Sequence, residues 1–153
     1  MNKPGQQEIP EQYEHLVRFL DQVFQKDQSD PQRTNAPACF AMLMERRDEF
    51  IGTPLEDAFW NAVSLEAFHT AQNAALIGDN KEAVKNLETA YTASHKGISR
   101  EWEAYVKSTL CYFKNDTEGL KKEIPNAGES NKILQRLLNG FMARGGINYK
   151  EDY

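Results

Sequence analysis

Cysteine is nearly absent from this chain: 153 residues carry two, Cys39 and Cys111. That excludes a disulfide framework, which in small secreted domains needs several bridges. Both cysteines sit among apolar neighbours, Phe40 and Met42 for one and Leu110 and Tyr112 for the other, and are expected to be buried free thiols. Basic excess is also absent, since the formal net charge is −5. An acidic chain without a basic stripe is repelled by phosphate backbones and by anionic membrane surfaces, so neither nucleic acid nor membrane is an expected partner. No apolar run approaches the roughly 20 residues needed to span a bilayer. The stretch Met1 to Gln12 is polar and has no apolar core of a secretory signal. A cytoplasmic location is the expectation.

Catalytic and cofactor motifs are missing too. There is no Gly-x-Gly-x-x-Gly, Walker-type loop, Gly-x-Ser-x-Gly or paired-cysteine zinc spacing. Neither enzymatic activity nor a cofactor is expected. Glu66-x-x-His69 has the i, i+3 spacing of a di-iron ligand pair, but such sites need a second copy and two further glutamates in the same core. With no second copy, Glu66 and His69 are read as helix surface or as a satisfied histidine between helices, and no metal is expected. His15 is read as ordinary surface, and His95 as compensation of a helix C-terminus.

What is present is helical periodicity. Seven helices are expected, over about 11–26, 37–50, 54–77, 80–95, 99–113, a short segment capped by Asp116 and cut at Pro125, and 131–144. Tyr13, Leu16, Val17, Leu20, Val23 and Phe24 form the stripe of the first. Thr53-Pro54-Leu55-Glu56 reads as a capping box. Gly78, Gly97 and Gly145-Gly146 read as stops, and residues 1–10 and 146–153 as a flexible lead and a fraying tail. No stretch alternates as a strand would, so the fold class is all-α: antiparallel hairpins in one domain, as a helical array or a compact bundle.

Residues 66–90 and 103–127 resemble each other at an offset of about 37 residues. Glu66-Ala67-Phe68 recurs as Glu103-Ala104-Tyr105, and Gly78-Asp79-Asn80-Lys81 as Asn115-Asp116-Thr117-Glu118. Two hairpin units, over 54–97 and 98–128, follow. The stretch from Ala71 through Gly78-Asp79 to Ala83, Leu87 and Ala90 resembles the tetratricopeptide family, with small residues in both helices and a Gly-Asp turn between them. The resemblance covers about residues 60–124. It implies a groove on the inner helices that holds a protein segment, and aligned positions there are Phe68 and Gln72 in one unit, Tyr105 and Thr109 in the next. The lysines, arginines and asparagine with which some members clamp a peptide carboxylate have no counterpart there. The expected function is a non-enzymatic interaction module with a protein partner. A dedicated small chaperone or an inhibitor-type partner of another protein is the alternative, and a helical enzyme or metalloprotein with ligands gathered from separate helices is the alternative of another class.

Overall fold

A computed structural model describes residues 9–96 and 99–153, and among these there are nine α-helices and no strand. They are α1 (Glu14–Gln28), α2 (Ala36–Glu45), α3 (Arg47–Phe50), α4 (Glu56–Leu76), α5 (Asn80–Ser94), α6 (Arg100–Phe113), α7 (Thr117–Glu123), α8 (Asn131–Arg144) and α9 (Tyr149–Asp152). The all-α class is as expected. Most of the expected lead, and Gly97 as a helix stop, lie outside the described residues.

The count differs from seven for two reasons. The expected second helix breaks at Arg46, whose backbone leaves the helical region (φ −107°, ψ 13°), so Arg47–Phe50 is a separate turn. The second difference is α9, in a stretch expected to fray. The start of α4 also shifts: Thr53 to Leu55 form a turn, and Glu56 Oε1 reaches back to accept from the Gly52 N–H at 2.7 Å. The reciprocal cap of the sequence reading is thus displaced outward.

The axis of the fold is α4, whose buried side chains feed two clusters. Its first half, with Phe59, Trp60 and Val63, packs with Leu16, Phe19 and Val23 of α1, Cys39 and Leu43 of α2, and Phe50. Its second half, with Ala67, Phe68, Ala71 and Ala74, packs with Ala83, Leu87 and Ala90 of α5 and with residues of α6 to α9. Small side chains let the α4 and α5 backbones approach. Ser64 ties three helices together: its hydroxyl donates to the Ala90 carbonyl and accepts from Trp102 Nε1, both at 2.8 Å.

The two hairpin turns are built alike. Gly78 (φ 83°) and Asn115 (φ 59°) both take the left-handed conformation that ends a helix, and the following N–H bonds back to Ala74 O and Cys111 O, each at 2.9 Å. Asp79 and Asp116 then cap α5 and α7 by accepting from the Glu82 and Gly119 amides. Asparagine is the non-glycine residue that best tolerates this conformation, so it replaces glycine in the second turn.

Candidate functional site

The last turn of α1 carries Asp27 on the same stripe as Val23, four residues earlier. The stripe is buried, so Asp27 is buried as well, at 1% exposure. Glu66 follows Val63 by three residues on α4 and is also 1% exposed. One helical turn position further, His69 turns its Nδ1 to Asp27 Oδ2 at 3.1 Å. Arg33 Nη1 stands 3.7 Å from the same oxygen. Asp27, Glu66 and His69 each present a donor atom, all within 4.8 Å of one another. Asp27 Oδ1, Glu66 Oε2 and Arg33 Nη1 are buried without a hydrogen-bond partner.

The electrostatics follow from burial. Desolvation, then the charge of Asp27, pushes the Glu66 carboxyl up to about 8, with Arg33 opposing. Desolvation lowers His69, against the pull of Asp27. Cys39 is buried close by, and desolvation followed by the Glu66 and Asp27 charges pushes its thiol up to about 11. Its Sγ faces the Val23 carbonyl at 3.5 Å. A thiol held protonated in this way is no nucleophile.

Arg33 is positioned by an unusual loop. Its φ of 58° is left-handed, a conformation costly for a side chain of this size. Asp30 accepts from the Gln32 N–H and from the Thr34 hydroxyl, Asn35 Nδ2 donates to Lys26 O, and Asn73 Nδ2 donates to Arg33 O at 2.8 Å. The loop is therefore tied to α1 and to α4, with the guanidinium over the carboxylates.

His69 and Arg33 also wall a cleft of about 940 Å³. Pro31 to Thr34 and Pro37 form one side, the second half of α4 with Asp79 and Glu82 the other, and Tyr149 and Tyr153 of the C-terminus one end. Leu76 (44% exposed) and Ile77 (83% exposed) line its edge.

Three of the four groove positions expected from the repeat are closed to solvent. Phe68, Tyr105 and Thr109 are all buried, and the two rings pack against each other with centroids 5.0 Å apart. Trp102 stands edge-on to Phe68 at 5.3 Å. Trp102 and Tyr105 thus cover Phe68, and the turn at residues 149–153 docks beside Phe113 and Gln72. Tyr149 is buried, packs on Phe113 at 5.3 Å and stacks with Tyr153 at 5.0 Å. Gln72 alone of the four stays half-buried on a cleft wall, where its Nε2 donates to the Tyr149 hydroxyl at 2.9 Å. The reading of Glu66 as surface is corrected as well: it is a core residue.

Asp27 and Arg33 escaped the sequence reading. Asp27 had a signal, an acid four residues beyond Val23 on the apolar stripe of α1. Arg33 had none, because its place depends on a loop conformation that residue type disfavours. No protein-family model, curated protein or solved structure matches the chain. Among the described residues no helix is long and apolar enough to cross a membrane.

Proposed function

We propose that the protein is a non-enzymatic, tetratricopeptide-like interaction module that takes a segment of a partner protein in the cleft between the 31–37 loop, the end of α4 and the C-terminus. The observation that carries this reading is the exposed pair Leu76 and Ile77 on the edge of a cleft large enough for several side chains. Water-facing apolar groups beside a concave surface are where a partner gains most from burial. The two like-built helical turns support the repeat part of the reading. The lining combines Arg33 with Asp79 and Glu82, so the segment that fits is amphipathic and has charges of both signs. A net charge of −5 favours a basic partner overall.

Site-specific photocrosslinking tests this. A photoreactive phenylalanine at position 77 is expected to capture a discrete protein in cells, while the same group at exposed Glu118, on α7, is not. Ile77→Glu introduced beside a crosslinker at position 73 should abolish the adduct. Equal capture from positions 77 and 118, or capture unaffected by Ile77→Glu, defeats the reading.

A further inference from the structure

We propose that Asp27, Glu66 and His69 form a binding site for one divalent transition-metal ion of the zinc or manganese class. This goes beyond the interaction reading and does not depend on it. Three observations carry it. The donor set is right: two carboxylates and an imidazole combine the hard oxygen and borderline nitrogen ligands that such ions take. The spacing is nearly right, because donors around a four-coordinate ion stand about 3.4 Å apart when each bond is near 2.1 Å. Asp27 Oδ2 and His69 Nδ1 are already at 3.1 Å, and all three donors lie within 4.8 Å. Finally, Asp27 Oδ1 and Glu66 Oε2 are buried and unpartnered. In the ion-free chain the proton held by Glu66 faces Asp27, and a cation between the two side chains displaces that proton and takes both groups as carboxylates.

The supports of the site are rigid where rigidity matters. Glu66 and His69 sit one turn apart on α4, and Asp27 comes from α1. Two carboxylates neutralise a divalent charge, so the ion takes over the role Arg33 now fills. Arg33 is well suited to give way: its Nη1 has no hydrogen bond, and its side chain is about one-third exposed on the cleft wall. Binding therefore moves the guanidinium away from Asp27 and leaves the fourth position to water from the cleft. His69, on that wall, marks the way in.

The test is calorimetric titration of the chelator-stripped full chain with Zn²⁺ and, separately, Mn²⁺. One equivalent of at least one ion should bind with Kd below about 10 µM, well within the affinity of protein zinc sites. Glu66→Gln and His69→Ala should each weaken binding at least about tenfold, the scale on which even outer-shell partners act. Asp27→Asn should do the same, and circular dichroism identifies any variant that fails to fold. Glu66→Gln keeps shape and volume and so remains informative if the others unfold. His15→Ala, His95→Ala and Cys39→Ser should leave binding unchanged. Substituted Co²⁺ should give ligand-field bands without a thiolate charge-transfer band. No saturable binding by the wild-type chain overturns the proposal, as does binding that survives Glu66→Gln and His69→Ala or that shows thiolate coordination.

Discussion

Asp152 occupies the space that the Cβ of any residue other than glycine would need at position 140. This close approach lets the C-terminal turn lie flat on α8. Asp152 Oδ2 then accepts from the Tyr112 hydroxyl at 2.6 Å and from Arg144 Nη2 at 2.5 Å. The Tyr112 oxygen in turn accepts from the Asn148 N–H at 2.8 Å. The last residues of the described chain are thus an internal latch that closes the aromatic core.

Gly140→Ala should break this latch. The expected loss is about 1–3 kcal/mol, as for other overpacked sites. Denaturant unfolding measures it, and a double-mutant cycle isolates the cause. In a chain ending at Gly146, which lacks the turn, the same substitution should cost nothing or slightly stabilise α8, since alanine is the better helix former. An equal loss in both backgrounds would place the strain elsewhere.

Ser64 is the polar hub of α4, α5 and α6. Ser64→Ala removes the partner of both the Trp102 N–H and the Ala90 carbonyl, so it should destabilise the protein by about 1–3 kcal/mol. Trp102→Phe already removes the indole donor, and in that background the loss from Ser64→Ala should shrink. Additive losses would show that Ser64 and Trp102 do not share one interaction.

Three helix starts were legible because their signals are local, whereas the break at Arg46 and the shifted start of α4 were not. Gly78-Asp79, Asn115-Asp116 and Ser99 act where they stand, and each cap forms. The docked C-terminus was not legible: its short turn gains stability from Tyr112, Phe113, Gln72 and Gly140, which are remote in sequence. Phe68 and Tyr105 were legible as aromatics on repeating positions, but whether such rings face solvent depends on what covers them. The acid cluster was half legible. Glu66-x-x-His69 stood out by spacing, whereas the partner that gives it meaning, Asp27, comes from a helix some forty residues earlier.

The small-residue contact between α4 and α5 yields a sharper expectation. Ala83 is fully buried in the cluster that holds Ala71, Ala74 and Leu87. Ala83→Leu adds volume with no cavity to receive it and should cost about 1–3 kcal/mol. Ala83→Gly should also destabilise, by roughly 1 kcal/mol from helix propensity. A clear drop in melting temperature for Leu checks the contact. An unchanged temperature would mean the two helices are free to separate there.

The buried acid cluster makes stability depend on pH in a direction unusual for a carboxylate. In the metal-free chain burial, and then the charge of Asp27, push the Glu66 carboxyl up to about 8 from an ordinary value of 4.5. Between those values the folded state holds a proton that the unfolded state has released. Stability from this group is therefore complete below about pH 4.5, falls as pH rises, and is gone above about pH 8. His69 has the opposite sign: its folded value is lowered from 6.5, so its contribution is lost as pH falls below that value. The two effects overlap below pH 6.5, and Glu66 is left alone between about 6.5 and 8. Denaturant unfolding in chelator should show stability falling across that interval. Glu66→Gln, which mimics the protonated side chain, should flatten the curve and exceed the wild type at pH 8. A wild-type curve that rises between pH 6.5 and 8, or a variant that follows its slope, would show that Glu66 is ionised in the folded protein.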